Sequence, residues 1–144
     1  MPVFSSSQTE FLRDMNAPRP VRLLVADDDE INRAIVTEMV RAEGGYSLTL
    51  AEDGRQALEQ ATAARFDVLI FDLHMPYING DRLIRHLRAS QSINATSALF
   101  LFTAAADSRS QIPGSYSWKL ADAILSKPIR SKDFFAAIRE RLRR

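Results

Sequence analysis

At 144 residues, with 19 Lys plus Arg against 18 Asp plus Glu and a net charge of +1, the chain suits one domain burying roughly 68% of its unfolded surface. The near balance of charge gives no general reason to expect nucleic-acid or membrane binding, and the lack of cysteine excludes disulfides, thiolate catalysis and Cys-based metal sites while fitting a reducing compartment. No stretch reaches the roughly 20 apolar residues of a spanning helix and the start, MPVFSSSQTEFLRDM, lacks the basic and apolar regions of a signal peptide, so a soluble, cytoplasmic protein is expected.

Residues 1–20 are Ser-rich and polar and end in Ala-Pro-Arg-Pro, where each proline pushes its predecessor towards extended geometry. They read as an N-terminal extension, with a short helix around Thr9 to Met15, ahead of a domain spanning residues 21–144. Five alternations follow. The first strand is Val21 to Ala26. The first helix begins near Glu30, with Ile31, Ile35, Met39 and Val40 on its inward face, and stops at Gly44-Gly45, where glycine tolerates left-handed geometry. Ser47 to Ala51 is the second strand, and Gly54 to Ala64 the second helix, with Ala57, Leu58 and Ala61 inward. Phe66 to Phe71 is the third strand. The third helix, from about Gly80 to Ala89, turns Leu83, Ile84 and Leu87 inward and Arg82, Arg85 and Arg88 to solvent. Ala98 to Phe102 and Ala123 to Ser126 are the last two strands. Between them, Ile112-Pro113-Gly114-Ser115 argues against a continuous helix, because proline inside a helix costs roughly 3 kcal/mol. The final helix has Ser131 as its N-cap and Asp133 in its first turn, and it buries Phe134 or Phe135, Ile138 and Leu142. This βα repeat predicts an α/β domain with a parallel sheet, helices on both faces and right-handed crossovers.

Four distant polar sites stand where apolar runs stop: Asp27 and Asp28 after VRLLVA, Asp72 after FDVLIF, Thr103 after SALFLF, and Lys127 just after DAIL. Strands buried on both faces place their ligand in the crevice at their carboxyl ends, so the four sites are expected to meet. Two like charges about 5 Å apart repel by roughly 3 kcal/mol at an effective dielectric of about 20. A bound cation and a bound oxyanion relieve that cost. Mg²⁺ wants octahedral oxygen ligands and keeps several waters, so one or two carboxylates with a carbonyl and a phosphoryl oxygen suffice. Taken alone, the run Asp27 to Glu30 is an acid-rich helix start, Asp72 a turn residue and Thr103 a β-branched strand residue. Their common placement at strand ends sets them apart.

The stretches LLVADDDEINR (Leu23 to Arg33), FDLHMPYINGDRLI (Phe71 to Ile84), LFTAAA (Leu101 to Ala106) and LSKPI (Leu125 to Ile129) together resemble the receiver domain of bacterial two-component response regulators. The resemblance implies a doubly wound (βα)5 flavodoxin-like fold with strand order 2-1-3-4-5. It also implies a Mg²⁺ site in which Asp28 ligates directly, Asp27 acts through water, Asp72 contributes an oxygen and the His74 carbonyl completes the protein ligands, leaving Asp29 in the loop. Asp72 becomes the nucleophile that forms an aspartyl phosphate, Thr103 donates to a phosphoryl oxygen, and Lys127 pairs with the phosphoryl group as a point charge. A cis Lys127-Pro128 bond is implied as well. The partners implied are a sensor histidine kinase or a histidine phosphotransfer protein, and an output partner the sequence does not name. Self-association as a homodimer stays open, as does whether the chain stands alone or belongs to a larger protein. The family often has an aromatic three residues before the lysine, where this chain has Ile124.

Two rival readings follow from the same residues. Phosphatases of the haloacid dehalogenase type use a strand-one Asp-x-Asp, which Asp27 and Asp29 satisfy, but they need a late acid pair, and after Lys127 only Asp133 and Glu140 are acidic. A receiver-like interaction module that is never phosphorylated is the other, and it leaves the full set of five site residues without a role.

Overall fold

A computed structural model of the chain describes residues 19–104 and 117–143. The expected helix around Thr9 to Met15 and the Pro113-Gly114 break lie outside the described residues. The elements run β1 (Val21–Ala26), α1 (Glu30–Glu43), β2 (Tyr46–Ala51), α2 (Gly54–Ala63), β3 (Val68–Asp72), α3 (Gly80–Ala89), β4 (Ala98–Thr103), a 3-10 turn (Ser117–Leu120), β5 (Ala123–Ser126) and α4 (Ser131–Leu142). The five strands form one parallel sheet, as the βα repeat predicts, in the order β2-β1-β3-β4-β5 that the resemblance implies.

Each strand alternates its side chains between two apolar layers, which is why the strands read as continuous apolar runs. Leu24, Leu69, Phe71, Leu99 and Leu101 face α2 and α3 and pack with Ala57, Ala61, Leu83, Ile84 and Leu87. Leu23, Val25, Ile70, Phe100 and Phe102 face α1 and α4 and pack with Val36, Val40, Phe134, Phe135 and Ile138. The two phenylalanines of α4 are both buried because they serve different neighbours. Phe134 stacks near Phe102 with ring centres 6.2 Å apart, whereas Phe135 meets Tyr46 at 5.2 Å.

Four local expectations are corrected by the packing. Ile31 and Ile35 of α1 are 70% and 40% exposed, and Val36 and Val40 are the buried residues of that helix. Val36 and Val40, four residues apart, mark the face of the helix turned to the sheet, and Ile31 and Ile35 lie one residue earlier in each turn, about 100° round the helix. Leu142, in the final turn of α4, is exposed rather than buried, and Ile138 is the last buried residue of that helix. Ser131 is the first helical residue of α4 and not its cap; Arg130 holds the cap position with extended backbone and no side-chain hydrogen bond. Arg88 is not part of a solvated face. Its guanidinium donates to the carbonyls of Ala95, Ser97 and Leu120 and, at 2.7 Å, to Asp122, while Asp122 also accepts from the Leu99 N–H and pairs with Arg141. This hub ties α3, β4, β5 and the end of α4 together.

Candidate functional site

Asp27 is the first residue past β1, and three hydrogen bonds hold its backbone and side chain. Its N–H donates to the Ala51 carbonyl at 3.1 Å, its carbonyl accepts from the Arg33 guanidinium at 2.8 Å, and its Oδ1 accepts from the Asp29 N–H at 2.9 Å. Asp29 in turn caps α1, its side chain accepting from the Ile31 N–H at 2.8 Å, so it is a cap residue and not merely a loop residue. That carboxylate is thus engaged at the helix terminus.

Asp72 is the last residue of β3 and only 6% exposed. Ala26 pairs with Phe71, so the next residues, Asp27 and Asp72, stand side by side at the sheet's carboxyl edge. Asp72 pairs with Phe102, which places buried Thr103 one step further along the neighbouring strand, about 4.8 Å away in the hydrogen-bonding direction. Thr103 in turn fixes Lys127, because the Lys127 N–H donates to its carbonyl at 2.8 Å. The Lys127-Pro128 peptide is cis. From there the Lys127 ammonium lies 3.0 Å from Asp27 Oδ2 and 3.1 Å from Asp72 Oδ2, and it bridges the two carboxylates.

Carboxylate oxygens of Asp27, Asp28 and Asp72 fall within 4.8 Å of one another, with Asp28 exposed and the other two buried. Burial and the neighbouring Asp27 charge push the Asp72 carboxyl up to about 6, although Lys127 and the His74 N–H work against the rise. For Lys127, burial favours the neutral amine, but the contacts to Asp27 and Asp72 outweigh it and leave the ammonium pKa raised. Three carboxylates and one ammonium sum to a charge of −2, the charge that a divalent cation cancels. Asp27 Oδ2 is buried without an aligned hydrogen bond, and its partner is the ionic contact with Lys127. A hard cation with oxygen ligands fits this donor set.

The loop from Asp72 into α3 is closed by contacts that only glycine permits. The Gly80 N–H donates to the Leu73 carbonyl at 3.0 Å, and a Cβ on Gly80 would stand 2.3 Å from the Asp72 carbonyl. A Cβ on Gly54, at the start of α2, would stand 2.1 Å from the Ile78 carbonyl, and the Gly54 N–H donates to Pro76. Asn79-Gly80 is legible as a tight loop. The Gly54 contact and the Arg33 anchor on Asp27 carry no such signature, since a helix-opening glycine and a helical arginine have many ordinary explanations. His74 is exposed; its N–H faces the Asp72 carboxylate.

Residues 23–139 match the response regulator receiver domain family. The chain belongs to this family. The DNA-binding response regulator MtrA of Mycobacterium tuberculosis (strain ATCC 25618 / H37Rv) is 34% identical over 123 residues, 85% of this chain and 51% of that protein. The chain thus spans about half the length of the curated relatives it matches. A putative response regulator from Chloroflexus aurantiacus superposes with a TM-score of 0.77 at 28% identity, covering 88% of this chain and all (100%) of that one. The receiver domain of the Pseudomonas aeruginosa sensor histidine kinase PA1611, which holds a magnesium ion coordinated in its active site cleft, shares the fold with a TM-score of 0.71 at 23% identity, covering 84% of this chain and 96% of that one. Receiver domains are signalling domains of two-component phosphorelays, and none of the described helices is long and apolar enough to cross a membrane.

Proposed function

We propose that this domain accepts a phosphoryl group on Asp72 from a phosphohistidine of a sensor kinase or phosphotransfer protein, in a Mg²⁺-dependent reaction, and passes the change to an output partner. The observation that carries the reading is the Lys127 ammonium placed between Asp27 and Asp72 at the sheet edge. A nucleophile this buried, in a site of net charge −2, has little reason to persist in an ordinary surface turn, because each uncompensated carboxylate pair costs stability.

The residues divide the work by position. Asp28, Asp27 and the Asp72 oxygen would hold the metal, with the His74 carbonyl as the remaining protein ligand. Bound there, Mg²⁺ neutralises phosphoryl charge and aligns the incoming group. An oxygen of Asp72 attacks phosphorus, the P–N bond to the donor histidine breaks, and the imidazole leaves with the bonding electron pair. Lys127 already lies within 3.1 Å of Asp72, so its ammonium is in reach of an equatorial phosphoryl oxygen. The Thr103 hydroxyl donates to another. Water later attacks the aspartyl phosphate, so the domain catalyses its own phosphorylation and dephosphorylation and turns over no external substrate.

The Mg²⁺ of the PA1611 receiver supports the metal assignment by analogy of fold. MtrA, described as DNA-binding, is a longer protein of which the match covers 51%; here we propose a cytoplasmic domain whose output is read by another protein or by a segment beyond the match. Transfer from a phosphorylated histidine phosphotransfer protein tests the reading. Label should move to the wild-type chain in Mg²⁺ and not in EDTA, and an Asp72→Asn protein that still accepts it contradicts the assignment.

A further inference from the structure

A second surface lies between α2 and α3, on the flank of the domain rather than at the sheet edge. Leu58, Tyr77, Ile78, Arg82, Leu83 and His86 line a recess of about 230 Å³. Ligand pockets run from about 300 to 1,000 Å³, so this one is too small for a typical small molecule and large enough for one bulky side chain. Its floor is apolar and its rim is not. None of the six lining residues is acidic, Arg82 and His86 are exposed, and the Arg55 guanidinium lies 4.2 Å from the centre of the Tyr77 ring. Among the described residues, neither Arg55 nor Arg82 has a carboxylate partner within ion-pair distance. Glu59, exposed on α2, is the acid nearest to Leu58 along the chain.

Tyr77 is the feature that a surface turn does not require. Its φ is +72°, the left-handed region in which a bulky residue is an outlier, and the Ile78 N–H closes a three-residue turn on the Pro76 carbonyl at 2.9 Å, a rare and strained form. A glycine would adopt this backbone freely. The chain instead places an aromatic ring there that stays 67% exposed, beside a recess that needs a cover. Tyrosine and arginine are the side chains that most often anchor interfaces, and two exposed arginines without carboxylate partners supply complementarity to negative charge.

We propose that the α2–α3 recess is a docking site for an acidic peptide segment of a partner protein that inserts one large apolar side chain against Leu58, Ile78 and Leu83. Tyr77 covers that side chain, and Arg55 and Arg82 grip the flanking carboxylates. The site lies on the loop that leaves Asp72, because Gly54 of α2 is locked against Ile78 and Pro76, so a bound segment touches the element that carries the phosphoacceptor.

The test is a selection with defined probes. Random 12-residue peptides displayed on phage are selected on the full chain and counter-selected on Arg82→Glu. The enriched peptides are expected to share Asp or Glu around a single Leu, Ile, Met or Phe, to shift the amide resonances of Leu58, Tyr77, Ile78 and Arg82, and to bind Arg82→Glu at least tenfold more weakly. Tyr77→Gly relieves the left-handed strain, so it should fold at least as stably as the wild type while losing the same affinity. Enriched peptides that are basic or lack an apolar anchor, resonance shifts that map elsewhere, equal binding to both variants, or no peptide separating wild type from Arg82→Glu each overturn the proposal.

Discussion

Replacing Asp72 by Asn should stabilise the metal-free protein, and the pH dependence of that gain tests the electrostatics of the site. In the fold the Asp72 carboxyl is raised from 3.8 to about 6 by burial and by Asp27. That shift is about 2 pKa units, which at about 1.36 kcal/mol each sets a ceiling near 3 kcal/mol for the cost of keeping Asp72 ionised. Solvent at the mouth of the site screens part of it, so a gain of about 1.5 kcal/mol is expected at pH 7.5, or roughly 5 °C in Tm for a domain of this size. Because the folded pKa lies above the unfolded one, the ionised carboxylate opposes folding at every pH above about 6, and the penalty fades as pH falls through the window from 6 to 4. The advantage of Asp72→Asn should therefore shrink by about half at pH 5 and to about a fifth at pH 4. Urea unfolding followed by circular dichroism, in EDTA at pH 7.5 and pH 5, measures both values. A variant less stable than wild type at pH 7.5, or a difference that does not change between the two pH values, refutes the reasoning.

Mg²⁺ should stabilise the wild-type chain by about 2.7 kcal/mol at a hundred times its dissociation constant; Asp28→Ala, at an exposed position, should melt like wild type in EDTA and lose most of the response to the ion in a thermal-shift titration. Lys127→Ala leaves Asp27 and Asp72 facing each other unbridged, so it should destabilise the metal-free protein by about 2–4 kcal/mol in urea, and adding Asp72→Asn should recover more than half of that loss. Gly80→Ala forces a methyl group to within 2.3 Å of the Asp72 carbonyl; phosphorylation by acetyl phosphate should fall at least tenfold, while a matched control at exposed Ala89, Ala89→Ser, should not change it. Asp122→Ala strips the carboxylate from Arg88 and Arg141 and should cost about 2–3 kcal/mol at equilibrium without changing the rate at which Asp72 is labelled.

The strands and the meeting of the four polar sites were legible because each is written twice in the sequence, once as an apolar run and once as the polar residue that stops it, whereas the strand order came from the family resemblance alone. Asp27, Asp72 and Thr103 needed no knowledge of helix packing, since parallel strands deliver their carboxyl ends to one edge whatever covers the faces. Periodicity failed where two adjacent helix faces are both apolar. Ile31 and Ile35 satisfy the i, i+4 pattern as well as Val36 and Val40 do, and only the rotation of α1 against the sheet decides which pair is buried. Arg88 was misread for a different reason: its partners, Ala95, Ser97, Leu120 and Asp122, come from three later segments, and no local pattern announces a long-range hub. The cap of α4 shows the weakness of a preference used alone, because Ser131 is a favoured cap type, yet the chain becomes helical at Ser131 itself, one residue after Arg130. The left-handed Tyr77 was invisible, since nothing in Met-Pro-Tyr-Ile-Asn-Gly marks tyrosine rather than asparagine or glycine as the residue with positive φ.

The central claim is that Asp72 is the phosphorylated residue, and the most direct measurement is chemical trapping. Acetyl phosphate and Mg²⁺ should load the chain, borohydride should reduce the acyl phosphate to the alcohol, and peptide mapping by mass spectrometry should find the modification at Asp72 alone. The label should be lost in EDTA and in Asp72→Asn. A modification at Asp27 would point to phosphatase-like chemistry at the first strand, and a chain that stays unmodified with Mg²⁺ bound would make this a receiver fold that signals without phosphate; either result contradicts the account.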